Sequence, residues 1–304
     1  MLQYVFTFLV MTVFFLSYFF ISEFFDMLQY IEKFPKPQNY EAPKITDFWF
    51  AIFTAFLNYL GFRIMIKLLY DTIYVYCKER RNNQLRAKKT LKAVIMFNKA
   101  WYYFWVTIAS YYVLKDEKCL PWMLGGKGDF ELIHEDYPFP SQPQNFKYYF
   151  LGIMGYHLHS TVDLLCRERR KEFAEMFLHH VITVLLYGMA YMLNLGMMGA
   201  VVSFLHDISD IFAMAVRGFS EMKFRTPTVT CAVLMAVTWF WTRLLVFPYF
   251  IYVFVFKQNH LAGSYFFKYF TGFLLSILLF LHFHWFTGLC LHLRAYTKRQ
   301  FYNY

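Results

Sequence analysis

From residue 2 to residue 291 the sequence keeps returning to apolar runs about 20 residues long. At 1.5 Å per residue such a run carries an α-helix across a hydrocarbon core of roughly 30 Å. The repetition predicts an all-α fold, a polytopic transmembrane helical bundle. Composition agrees, since 59% of the 304 residues are hydrophobic and 23% aromatic against 16% charged, unlike an ordinary soluble domain.

The runs delimit about eight transmembrane helices, at 2–22, 47–76, 94–114, 146–165, 176–195, 198–217, 228–256 and 267–291. The first has no basic leader and no small-residue cleavage site, so it reads as a retained membrane helix rather than a signal peptide. Pro35, Pro37 and Pro43 mark 23–46 as a loop, and 115–145 is a longer, acidic, proline-punctuated one. Three parts follow: a helix and loop at 1–46, an extra helix with a basic connector at 47–93, and the main membrane domain at 94–304.

The net charge of +10 is concentrated in short connectors between the runs. That placement fits the positive-inside bias and argues against nucleic acid as a partner. Basic stretches follow the second, fourth, sixth and eighth helices, and acidic ones follow the first and third. Both termini are therefore expected in the cytosol. Cys77, Cys119, Cys166, Cys231 and Cys290 are scattered without a CxxC pair, which implies neither a zinc site nor a disulfide framework.

Against this background, residues 172–217 stand out. Two apolar helices joined near 194–199 carry His179 and His180 on one, and His206, Asp207 and Asp210 on the other. Ionisable groups inside apolar spans are expensive to bury and mark functional sites. In the expected topology the His pair lies about one turn from the cytosolic side, and His206 and Asp210 lie about 10–16 Å in. His206 and Asp210, four residues apart, share a helix face. An imidazole beside a carboxylate is a general-base pair suited to acyl transfer. The plainer reading is a set of hydrogen bonds between helices. The HxxxH and HxxHH boxes of membrane di-iron enzymes do not occur. A zinc site from His179, His206 and the aspartates is a further chemical alternative. His157 with His159, and His282 with His284, are i,i+2 pairs that read as interfacial or packing residues.

The order of these residues resembles the Lag1 motif of ceramide synthases, within the TRAM–Lag1–CLN8 (TLC) family. The motif's His pair, Thr, Asn, Gly, His-Asp and further Asp fall on His179, His180, Thr183, Asn194, Gly199, His206, Asp207 and Asp210. The approach Arg169-Arg170-Lys171-Glu172-Phe173 and the stretches TRLLVFPYF and FLHFHWFTGLCLHLRA are also similar to the family. The resemblance implies a TLC domain at 94–304, six helices enclosing a lipid tunnel, in the endoplasmic reticulum membrane. It implies acyl-CoA-dependent N-acylation of a sphingoid base. His179, His180, His206, Asp207 and Asp210 would be catalytic, and Thr183, Asn194, Arg169, Arg170 and Arg217 would contact substrate. Fatty acyl-CoA, a sphingoid base and membrane lipids are the implied partners, with a homodimer or an accessory subunit beside them. Acyl-CoA is a co-substrate, and neither cofactor nor metal is implied. Three positions depart from the family pattern: Met197 replaces an Arg after the turn, Met214 a Glu, and Ala190 a Ser. These departures favour the alternative of a non-catalytic TLC protein, such as a lipid sensor, trafficking factor or accessory subunit.

The sequence holds no Asn-x-Ser/Thr acceptor, so engineered acceptors give a clean test of topology. Lys127→Asn with Asp129→Thr, in the 115–145 loop, should yield a glycosylated protein whose gel shift endoglycosidase removes. Gln84→Thr, which creates an acceptor at Asn82 in the basic connector, should stay unmodified. The reverse pattern would invert the topology.

Overall fold

The computed structural model describes residues 2–38, 40–77, 79, 82–166, 172–257 and 265–301. Among them the fold is all-α. The helices are α1 (Leu2–Glu32), α2 (Phe48–Tyr76), α3 (Asn83–Leu114), α4 (Phe146–Cys166), α5 (Phe173–Met192) and α6 (Gly196–Glu221). Next come α7 (Arg225–Trp239) and α8 (Phe247–Tyr252), joined through a π-helical turn, Phe240–Val246, and followed by another, Val253–Lys257. Last is α9 (Tyr265–Phe301).

Among the described residues, five helical runs are long and apolar enough to cross a membrane: Ile45–Tyr76, Phe173–Met192, Gly196–Glu221, Arg225–Lys257 and Tyr265–Leu291. The two halves of α1, Tyr4–Phe19 and Ile21–Glu32, bend by 47° and count as a sixth if taken as one span. The expected third and fourth helices exist as α3 and α4 but fall below the same apolarity. Lys92 and Lys99, with many Tyr and Trp, dilute α3, and Lys147, Asp163 and two His dilute α4.

Two boundaries differ from the sequence expectation for local reasons. The segment 23–32 is helical rather than loop, because FDMLQYIE contains no breaker and Pro35 is the first stop. The basic connector is largely the beginning of α3, since the Asn82 side chain accepts from the Leu85 N–H at 3.1 Å and caps a helix starting at Asn83.

The chain forms two compact units, Met1–Ile64 with Val106–Phe204 and Phe250–Leu275, and Met65–Trp105 with Leu205–Tyr249 and Ser276–Tyr304. In the first, α1 and α4 both pack on α5. Small residues let backbones close in, as membrane helices require. A Cβ on Gly155 would meet the Thr54 hydroxyl at 2.0 Å, and one on Gly199 would meet the Phe150 ring at 2.9 Å. In the second, Ile73, Cys77, Ala93, Val94 and Met222 form a buried cluster, and the Phe97 and Phe219 rings meet edge to face at 4.9 Å.

The α5–α6 reversal has a specific cause. Asn194 sits at φ +58°, and the Leu195 N–H donates to Ala190 O at 2.8 Å while the Asn194 N–H donates to Tyr191 O at 3.3 Å. This double bond pattern closes the helix with a left-handed residue, which favours Gly or Asn. The Asn194 amide does more. Its Oδ1 accepts from the Tyr40 hydroxyl at 2.5 Å, and its Nδ2 donates to Pro138 O at 2.9 Å. Burial pushes the Tyr40 phenol up to about 12, so it donates as the neutral form at pH 7. Beside it, Asp47 accepts from Tyr191 at 2.5 Å and pairs with Lys147 at 2.8 Å, fastening α2 to α4 and α5.

Asn194→Ala should cost about 2–4 kcal/mol in thermal unfolding of detergent-solubilised protein, because buried Pro138 O and half-buried Tyr40 lose bonds and Ala must hold a positive φ. Asn194→Gly, which keeps the turn, should lose less. Unfolding of Asn194→Ala at the wild-type temperature would contradict the account.

Candidate active site

The His-Asp half of the motif lies on α6 in the second unit, where it meets α7, its π-helical extension and α9. The π turn Phe240–Val246 presents Arg243, only 2% exposed. Its guanidinium bonds Asp210 Oδ1 at 2.6 Å and donates to His206 O at 2.7 Å. It also lies over the Trp239 ring, 3.9 Å from the centroid. A buried cation in apolar surroundings needs a counter-charge, and here it has a carboxylate, a carbonyl and a π face. π turns are rare and cluster at functional sites.

The half-buried His206 imidazole packs against two rings. The His282 ring on α9 stands 4.7 Å away and the Phe247 ring 4.9 Å away, nearly perpendicular. His282 is 0% exposed, and its carbonyl accepts from Trp239 Nε1 at 3.3 Å. Asp207, at 3% exposure, is buried on the same helix.

Sequence reasoning named His206, Asp207 and Asp210 and overlooked Arg243. The signal for it was available, because Arg243 is the only charged residue in the apolar run 228–256. Such a residue has to find a carboxylate. Of the His282–His284 pair, read as interfacial or packing, His282 stacks in the His206 cluster, and His284 is half-buried.

His179 and His180 lie in the first unit, on the second turn of α5. Their rings are 5.6 Å apart, His180 buried and His179 half-buried. The Thr183 hydroxyl donates to His179 O at 2.8 Å, within the helix. Asn194 has both ends of its amide occupied by Tyr40 and Pro138. Met197 and Ala190 are buried packing residues.

The basic residues expected at the cytosolic mouth separate into groups. Arg169 and Arg170, with Arg167 and Lys171, lie outside the described residues. Arg217 is exposed on α6. Lys223 reaches Glu79 at 3.4 Å, and Glu79 also takes Lys89 at 2.8 Å. The Lys89 hydrogen bond and the neighbouring Lys223 and Lys89 charges hold the Glu79 carboxyl below its usual range. Lys92 pairs with Glu221. Among the described residues no three His, Cys, Asp or Glu side chains come together as a metal ion would require.

Half-buried Asp210 and buried Arg243 thus pair beside the His206 ring, and α6 has the length and composition of a membrane span. The TLC domain profile matches residues 92–291, well over half of the 304-residue chain. The chain belongs to the TLC-domain family. Ceramide synthase 4 of Mus musculus is 34% identical over 164 residues, 54% of this chain and 41% of that protein. Ceramide synthase LOH2 of Arabidopsis thaliana is 26% identical over 212 residues, 68% of this chain and 70% of that protein. ASC1-like protein 3 of Oryza sativa subsp. japonica is 27% identical over 238 residues, 74% and 81% of the two chains. This TLC protein thus spans less than half the length of the mouse relative. Its family and its apolar helices make it a multi-pass membrane protein.

Removing one partner of the Arg243–Asp210 pair should destabilise the TLC protein by about 3–5 kcal/mol, the usual cost of a stranded buried charge. The double variant Arg243→Gln with Asp210→Asn should lose at least about 1 kcal/mol less than the sum of the single losses. Thermal unfolding of the four proteins measures this, and simple additivity would show that the pair is not coupled.

Proposed function

We propose that this TLC protein is a ceramide synthase: an acyltransferase that joins the acyl group of a fatty acyl-CoA to the amine of a sphingoid base, sphinganine, giving (dihydro)ceramide and CoA. One observation carries the reading. The chain carries His179, His180, His206, Asp207 and Asp210 in the order of the Lag1 motif, in a family whose matched relatives include proteins named ceramide synthase.

The chemistry asks for few groups. As the amine nitrogen bonds to the thioester carbon, the C–S bond breaks, and the amine proton must end on the departing sulfur. An imidazole from the His179–His180 pair can relay that proton as base and then acid, or first accept the acyl group itself. Asp207 and Asp210 would serve as orienting and charge-stabilising carboxylates, and His206 would support proton transfer. Half-buried and held by the buried Arg243, Asp210 is a fixed charge that need not reorganise during reaction. Arg217, with Arg169 and Arg170, would contact CoA phosphates, and Thr183 the substrate. Asn194 would act by setting the turn. Acyl-CoA serves as co-substrate, with no cofactor. Residence in the endoplasmic reticulum with cytosolic termini lets a charged cytosolic thioester and a membrane lipid reach the same centre.

A second reading is favoured by Met197 and Met214, which stand where the family has an Arg and a Glu. In it the chain is a non-catalytic lipid sensor, trafficking factor or accessory subunit that keeps the fold and binds lipid. The two readings separate in one assay. Membranes containing the protein, given fatty acyl-CoA and sphinganine, should form amide. His180→Ala and Asp210→Ala should each lower the rate by at least about 100-fold, the scale of a general acid–base contribution. No amide from wild type, or undiminished amide from both variants, would favour the second reading.

A further inference from the structure

Lumenal to the His pair, in the topology read from the sequence, the first unit holds a polar group that the proposed chemistry does not use. The Tyr187 hydroxyl on α5 donates to Ser203 Oγ on α6 at 2.6 Å, both buried. The His157 ring on α4 lies against the Tyr187 ring at 5.0 Å, tilted by 36°, and Phe150 covers it at 5.0 Å. Three helices thus contribute hydrogen-bonding side chains to one apolar interior.

The spacing ties this group to the motif. Tyr187 follows His180 by seven residues and so repeats its face of α5 two turns on, about 10 Å along the axis. Ser203 precedes Asp207 by four residues and Asp210 by seven, on one face of α6 and within about 6 Å of axial rise from Asp207. The same two helix faces that carry the reactive residues continue as hydroxyls, where packing alone would be served by the Leu, Val and Ile that fill neighbouring positions.

We propose that Tyr187 and Ser203, with His157 stacked behind them, form a subsite for the C1 hydroxyl of the lipid acceptor. This rests on the acyltransferase reading above. A sphingoid base carries hydroxyls on the carbons either side of its amine. In a membrane interior those hydroxyls need polar partners as much as the amine does. A phenol and a serine hydroxyl are each both donor and acceptor, and the Tyr187–Ser203 bond can open to take a hydroxyl between them. An apolar subsite discriminates weakly against a missing hydroxyl, and a hydrogen-bonding one strongly.

The test measures kcat/KM for sphinganine and for its analogue lacking the C1 hydroxyl, with inhibition constants against sphinganine where the analogue turns over slowly. Tyr187→Phe and Ser203→Ala should each lower kcat/KM for sphinganine roughly tenfold, the effect of one neutral hydrogen bond. Both should leave the analogue's values unchanged, so that discrimination between the two acceptors shrinks. An equal loss for both acceptors would assign the pair to helix packing and overturn the inference, as would no loss for either. Tyr187→Phe keeps the rings stacked on His157 and Phe150, so it decides the matter if Ser203→Ala accumulates poorly. Wild type forming no amide from any acceptor would overturn the acyltransferase reading, and this inference with it. Amide formation with unchanged discrimination in Tyr187→Phe would overturn this inference alone.

Discussion

A charge placed among apolar helices must be met by an opposite charge and by hydrogen bonds, or the fold pays several kcal/mol for it. Arg243 is the clearest instance in this protein. One guanidinium binds Asp210, the His206 carbonyl and the Trp239 face. It thereby fixes α6 against the π-helical extension of α7. The contacts that satisfy Arg243 also hold Asp210 and the backbone of His206 in place. Stability and site geometry therefore have the same source in this unit.

The first unit follows the same rule with different groups. Asp47 is met by Lys147 and Tyr191, and the Asn194 amide by Tyr40 and Pro138. Tyr40 and Asp47 precede the region matched by the TLC profile, which begins at residue 92. The segment before α2 is thus part of what shapes the α5–α6 turn. The motif accordingly contains two kinds of residue. Asn194 and Gly199 shape the hairpin through a left-handed turn and a close helix approach, whereas the His and Asp residues are the groups proposed to react.

Much of this was legible in the sequence. Long apolar runs predicted the helices, and the rarity of charge within them singled out His206, Asp207 and Asp210. What was missed had physical reasons. Hydropathy ends a helix where charge begins, so the start of α3 was read as a connector although the Asn82 cap begins the helix there. The expected third and fourth spans form as helices, but Lys, Tyr and Trp in α3 and Lys, Asp and His in α4 lower their apolarity below that of the five most apolar runs. Arg243 escaped because its partner lies 33 positions earlier in the chain, and no local period links them. Tyr187 and Ser203 look like ordinary residues in apolar helices until the packing of α5 on α6 joins them.

The central claim is that the histidines and aspartates of this TLC protein transfer an acyl group from a thioester to an amine. Counting free CoA thiol and new amide side by side, with purified protein, fatty acyl-CoA and sphinganine, tests it most directly. The account predicts one thiol released per amide formed by wild type, and loss of both together in Asp210→Asn. Thiol release without amide, or no thiol release from wild type, would contradict it.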